Sequence, residues 1–150
     1  GFNINEDLVP VQKDGNGLYK QKNETKIPFE YDDANAFLNG LAFVKKGKNY
    51  GCINTKNRVI VQFNLKETKY PFFSNDLALY EVNGKYGFIN KKGKIKIPAI
   101  YSKAFPFVNK LAYVEIDGKV GYINERGKEI IPVKYKQLWF VNDGIIRYAD

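Results

Sequence analysis

Histidine and methionine are absent from this 150-residue sequence, and cysteine and tryptophan occur once each, as Cys52 and Trp139. Without histidine there is no Ser-His-Asp or Cys-His triad and no ordinary zinc site, and no other spacing of metal ligands takes their place. One cysteine excludes an internal disulfide, which suits a reducing compartment or an exterior domain that needs no staple. No run of about 18 apolar residues is present to span a bilayer as a helix. The opening GFNINEDLVP lacks the basic and apolar regions of a signal peptide, and the abrupt ends read as those of a piece of a longer chain. Only Arg58, Arg126 and Arg147 among 24 basic residues are arginine, so the net charge of +8 is carried by lysine. Nor does any glycine-rich phosphate loop occur, because each glycine falls at a turn or strand position of the pattern described next. These absences point away from catalysis, and no cofactor or metal is expected.

What is present is repetition. Hydrophobic residues make up 44% of the chain and charged residues 27%, a globular balance. Gly17, Gly51, Gly87 and Gly121 stand 34, 36 and 34 residues apart, and YGCINTKNRVIV, YGFINKKGKIKI and VGYINERGKEII align around the last three. FLNGLAFV, FSNDLALY, FVNKLAYV and the faded FVNDGIIR give the same period, with Asn39, Asn75, Asn109 and Asn142 in one column. The chain reads as a single repeat array over 1–150, with repeats at 5–38, 39–74, 75–108 and 109–141 and a partial one at 142–150.

Each repeat predicts three short strands. In LAYVEIDGKVGYINERGKEIIP, apolar alternation runs into Asp117-Gly118, a pair suited to the positive φ angles of a two-residue hairpin turn, and Asn83-Gly84 repeats it. A second turn is marked by the column Asn23, Asn57, Gly93 and Gly127, residues that accept the left-handed conformation of a bulge-closed turn. Pro28, Pro98 and Pro132 follow the third strand's Ile and are expected to end it or to lie on a sheet edge. Glycine inside a strand weakens it unless something comes close, so Gly51, Gly87 and Gly121 predict tight approach of a neighbouring strand or of a ring such as Tyr101. No sustained helical period appears, leaving at most a short helical turn in the links around Ala34, Ala104 or Gln137. The strands are apolar on both faces, which requires covering on both sides. The expected fold is all-β, with antiparallel meanders of about 34 residues stacked as a solenoid or curved superhelix. A propeller-like closure is the alternative, disfavoured because blades carry four strands.

The core G[KR]xG[FY]IN, a turn glycine, Ile-x-Pro and a tyrosine three residues on (Tyr31, Tyr101, Tyr135) resemble the WG-repeat, or KWG-repeat, family of bacterial proteins. That family is named for a Trp-Gly pair in the second strand. Here the glycine is kept, while the Trp column holds Asn16, Tyr50, Tyr86 and Val120. The resemblance implies an all-β module serving interactions, without enzymatic activity and without catalytic residues to carry over.

Candidate sites therefore concern binding. Cys52 aligns with Leu18, Phe88 and Tyr122 and reads as core filler, not nucleophile. Glu81 and Glu115 share a column, but its counterpart Lys45 and the lack of a second acidic column argue against a carboxylate pair of the kind glycosidases use. The 11 Tyr, 11 Phe and Trp139 gather in the links, at YPFF (70–73), AFPF (104–107) and LWF (138–140). Most such rings should close the core between repeats. The others would form aromatic grooves, for which Trp139, Tyr101, Tyr135 and Phe107 are the candidate ligand contacts. Lysines at KKGKN (45–49) and NKKGKIK (90–96) fall on hairpin tips, where solvation and edge protection explain them. The first reading of partner is another protein. Cell-envelope polysaccharide is the alternative, favouring an envelope or extracellular location; nucleic acid or another anionic polymer ranks last, given the shortage of arginine for bidentate base contacts.

Overall fold

The computed structural model describes residues 9–13, 16–21, 24–140 and 146–150, and among them there is no helix. None long and apolar enough to cross a membrane is therefore found among the described residues. The chain divides into two compact units, residues 1–73 with 91–93 and residues 74–90 with 94–150. The first holds a sheet of β1 (Val9–Lys13), β2 (Asn16–Gln21) and β3 (Glu24–Tyr31) in that order. Its second sheet runs β4 (Asp33–Ala34), β5 (Leu41–Lys46), β6 (Asn49–Asn54) and β7 (Val59–Leu65). In the other unit, β8 (Leu77–Val82), β9 (Lys85–Asn90) and β10 (Ile95–Tyr101) form one sheet. The next consists of β11 (Lys103–Ala104), β12 (Leu111–Ile116), β13 (Lys119–Asn124) and β14 (Glu129–Tyr135). A ribbon of β15 (Gln137–Phe140) and β16 (Ile146–Ala149) follows. The fold is all-β, a tandem series of antiparallel sheets, none of which closes into a barrel.

The turns follow the sequence chemistry. Asn83 and Gly84 have φ of 49° and 80°, and Asp117 and Gly118 repeat these values, the two positive angles of a type I′ turn. At the second hairpin, Gly127 has φ of 80°, its N–H donates to the Asn124 carbonyl at 2.9 Å, and the Asn124 N–H donates to the Lys128 carbonyl at 2.9 Å. This is a turn closed by a bulge. The Asn of each IN pair holds it from within: Asn124 Oδ1 accepts from the N–H groups of Arg126 and Lys128, both at 3.0 Å, as Asn54 does from Lys56 and Arg58. That role for the IN asparagine was not read from the sequence.

The glycine column seats a bulge. Ile97 pairs with Phe88 and Tyr101 with Tyr86, so the chain from 97 to 101 on β10 is set against only 86 to 88 on β9. The surplus folds down onto Gly87: a Cβ there would lie 2.4 Å from the Ile97 carbonyl oxygen and 2.7 Å from the Ala99 nitrogen. Between β13 and β14 the same excess leaves a Cβ on Gly121 2.5 Å from the Ile131 oxygen. The close approach thus comes from the backbone of the third strand and not from the Tyr101 ring. It also decides between the two expectations for proline. Pro98 and Pro132 do not end the third strand; they sit inside β10 and β14, which are edge strands where a missing N–H leaves no ladder bond unmade.

The links depart from expectation too. Ala34 and Ala104 lie in short strands, not helical turns, and Gln137 opens β15. β4 pairs with β5 and β11 with β12, so these two repeats have four strands. The repeated N–H bonds from Asp32 to the Lys45 carbonyl and from Ser102 to the Glu115 carbonyl, each 2.8 Å, hold the link extended.

Both faces of the sheets carry apolar side chains, and the links cover them. In the first unit Tyr31, Phe37, Ala42, Val44 and Ile53 form a core against which Ala34 and Phe63 pack. The opposite face of that sheet presents Phe43, and Phe73 lies on it with ring centroids 5.5 Å apart. In the second unit Phe107 stands edge-on to Phe88 at 4.8 Å. No charged residue is buried among the described residues.

Candidate interaction groove

On β12 the alternation separates two faces. Ala112 and Val114 point to the core, with Ile123 opposite Ala112, and all three are fully buried. Leu111, Tyr113 and Glu115 face the other way, where Tyr122 of β13 stands directly across from Tyr113 with ring centroids 5.4 Å apart. The link before β12 supplies the rest. The Phe105 N–H donates to the Tyr113 carbonyl at 3.1 Å, and the Phe105 ring meets the Tyr113 ring edge-on at 5.6 Å. Val108 and Leu111 exchange backbone bonds of 2.8 and 3.1 Å around Asn109 and Lys110, whose φ angles are 50° and 67°. Together these elements enclose a groove of about 470 Å³ lined by Phe105, Pro106, Val108, Asn109, Leu111, Tyr113 and Tyr122.

The groove is apolar and open. Val108 is 68% exposed and Phe105 39% exposed. Its polar groups are the Asn109 amide and two phenols. Burial pushes the Tyr113 phenol up from its ordinary range, with the Glu115 charge adding to it, and burial does the same for Tyr122 beside Tyr113. Both therefore stay neutral donors at ordinary pH. Glu115 is itself held by the Ser102 hydroxyl, which donates to its Oε2 at 2.9 Å. The site offers shape, rings and hydrogen-bonding dipoles, but no nucleophile. Cys52 lies fully buried in the other unit, its thiol pushed up by burial. No group of three or more His, Cys, Asp or Glu arranged to hold a metal occurs among the described residues.

The candidate ligand contacts named from sequence do not come together. Phe107 and Tyr101 are 1% and 3% exposed, so their rings serve packing and present no face to a ligand. Trp139 is 41% exposed and stands across from Arg147 on the ribbon. Tyr148 stands across from Leu138, hence on the ribbon's other face, 4.8 Å from the Tyr135 ring. Trp139 and the Tyr135–Tyr148 pair therefore do not form one stacking platform. Phe105, Val108, Tyr113 and Tyr122 were missed. The available signal was that Val108 aligns with Ser74, and Tyr113 and Tyr122 align with Leu79 and Phe88, so that polarity and size change at three positions of one face.

A model of the WG containing repeat matches residues 17–50, 50–86, 86–119 and 121–149. The chain belongs to the WG-repeat family. No curated protein matches it, and no solved structure does. In the WG repeat as this chain builds it, the name-giving pair is Asn16-Gly17, Tyr50-Gly51, Tyr86-Gly87 and Val120-Gly121. The glycine is the floor under the third-strand bulge. The residue before it pairs across to the end of that bulge, Tyr86 to Tyr101, Val120 to Tyr135 and Tyr50 to Leu65. A large side chain there closes one side of the sheet, as Tyr50 and Val120 do at 5% and 3% exposure. Tyr50 also donates from its hydroxyl to Asp33 Oδ2 at 2.9 Å, tying the pair to the link strand β4. The groove lies outside this framework, on Asn109 and Leu111, which recur among the repeats, and on Phe105, Val108, Tyr113 and Tyr122, which vary.

Proposed function

We propose that this WG-repeat chain is a non-catalytic interaction module that binds a protein partner, with the groove on β12 and β13 as contact surface. The observation that carries the reading is an open apolar groove rimmed by a strongly exposed Val108 and floored by two tyrosines. Exposed, contiguous apolar surface with aromatic residues is what protein interfaces use for their anchors. A sugar site would need several convergent polar groups for ring hydroxyls, and this groove offers one amide and two phenols.

The test is a comparison of ligand classes on one variant. Val108→Asp places a charge in the groove mouth without disturbing the core. Panning a random peptide library should select peptides with apolar anchors that bind the parent and not Val108→Asp. Retention on glycan arrays or insoluble peptidoglycan that Val108→Asp leaves intact, with no groove-dependent peptides, overturns the reading.

A further inference from the structure

The turn between β8 and β9 carries a side-chain amide where its counterparts, Gly47-Lys48 and Asp117-Gly118, carry none. Asn83 and Gly84, with φ of 49° and 80°, are both exposed. The ladder closes on the pair Val82 and Lys85, so the Gly84 N–H lies outside it. Nothing lies within 4 Å of where a Cβ on Gly84 would stand, which leaves room at the turn for a ring to form. Asparagine is among the thermolabile side chains, and a following glycine leaves the next backbone nitrogen least hindered. The sequence holds two other Asn-Gly pairs. Asn16 and Gly17 are held in β2, paired with Lys13 and Gln12. Asn39 and Gly40 form a turn with φ of 53° and 80°, but Asn39 is half-buried.

We propose that Asn83 is a site of spontaneous modification, losing its amide through a cyclic imide with Gly84 to leave aspartate or isoaspartate at the tip of the β8–β9 hairpin. The Gly84 nitrogen, having given up its proton, attacks Asn83 Cγ. The N–Cγ bond forms, the Cγ–Nδ2 bond breaks, and ammonia leaves with the proton. Water then adds to one of the two imide carbonyls, and nothing is oxidised or reduced. Opening at Cγ restores the main chain with aspartate at 83; opening at the main-chain carbonyl routes the chain through the side chain as isoaspartate. The two products differ in consequence. Asp117-Gly118 holds the same pair of φ angles, so aspartate at 83 fits the turn and changes only its charge. Isoaspartate adds one carbon to the backbone of a two-residue turn, and the turn is what pins Val82 opposite Lys85. Ageing therefore divides the chain into a native-like form and a form with a weakened hairpin.

The experiment incubates the whole folded chain in neutral and mildly alkaline buffer. Peptide mapping by mass spectrometry reads each asparagine, and labelling by an isoaspartyl methyltransferase reads the isomer. Asn83 is expected to lose its amide ahead of Asn39 and Asn16, at a rate that rises with hydroxide concentration. Asn83→Gln should remove that first event, because its longer side chain closes a larger ring. Asn83→Asp should melt with the parent, while the methyltransferase-reactive fraction of aged protein melts lower. Earlier reaction at Asn39 or Asn16 overturns the proposal. So does an Asn83 that keeps its amide in the native chain and loses it only in denaturant, because the folded turn then protects the residue. An isoaspartate fraction that melts with the parent overturns the division into two forms.

Discussion

Replacing Gly87 with alanine adds one methyl group and should be among the most damaging small changes available in this chain. The new Cβ would sit 2.4 Å from the Ile97 oxygen and 2.7 Å from both the Ala99 nitrogen and the Pro98 carbonyl carbon. All three are backbone atoms, so no side chain can rotate aside, and the bulge must lift from β9. Overpacking of this kind costs typically 1 to 3 kcal/mol, and the rigid neighbours put Gly87→Ala near the top, about 3 kcal/mol. For a chain of this size that lowers the melting temperature by roughly 6 to 12 °C. Gly84→Ala is the matched control: it has φ of 80° but nothing within 4 Å of its Cβ, so only the left-handed backbone is penalised. That costs about 1 kcal/mol, since a left-handed L-residue loses roughly 1 to 2 and a stiffer unfolded chain returns part of it. Gly51→Ala should fall between, because only the Val61 oxygen, at 2.6 Å, comes within 3.0 Å of its Cβ. Differential scanning calorimetry of the three variants decides the matter. A Gly87→Ala protein that melts no lower than Gly84→Ala would show that the glycine column does not exist to seat the bulge.

Further expectations concern conformation and titration. Lys110 holds φ of 67° where the sibling repeat has Gly40 at 80°, so Lys110→Gly should raise the urea midpoint by about 1 kcal/mol of stability; a lowered midpoint contradicts the strain argument. Burial raises the phenols of Tyr31, Tyr50, Tyr101, Tyr113 and Tyr122, so above about pH 10 the unfolded chain loses protons that the folded chain keeps. Their contribution to stability is complete below that pH and is lost as pH rises beyond it. Absorbance at 295 nm should therefore climb together with unfolding, and ionisation of all 11 tyrosines near pH 10 with native circular dichroism would refute this. Cys52 is fully buried, so a thiol reagent such as DTNB should react with it only after denaturant is added, and prompt reaction of the native protein would contradict its place in the core.

Much of the fold was legible because turns are local. Asn83-Gly84, Asp117-Gly118 and the column ending in Gly127 announce their conformations through residues that tolerate positive φ, and the structure places them there. What depended on strand partners was legible only in part. Gly87 signalled a close approach, but that the approaching atoms are those of Ile97 to Ala99 follows from the register of β10 on β9, which local sequence does not encode. Pro98 was expected at a strand end or on a sheet edge, and it lies on the edge, inside the bulge. The aromatic site residues were least legible of all. Phe105 and Phe107 lie two apart in one link, with the same chemistry and nearly the same neighbours, yet one is 39% exposed and the other 1%. The difference is made by Phe88, which receives Phe107 from another strand. Composition cannot distinguish the two rings; only the sheet to which the link is addressed can.

The contacts of Phe73 on Phe43 and Phe107 on Phe88 also have a direction. In each, one repeat contributes a receiving face and the link that follows contributes the ring, so the two halves of the joint are different surfaces. Unlike surfaces of this kind do not pair with copies of themselves, as a self-complementary surface would. A duplicated repeat of this kind arrives carrying both the receiving face and the ring that fits it. Copying DNA of this kind therefore brings a face together with its ring, and that pairing does not have to evolve anew.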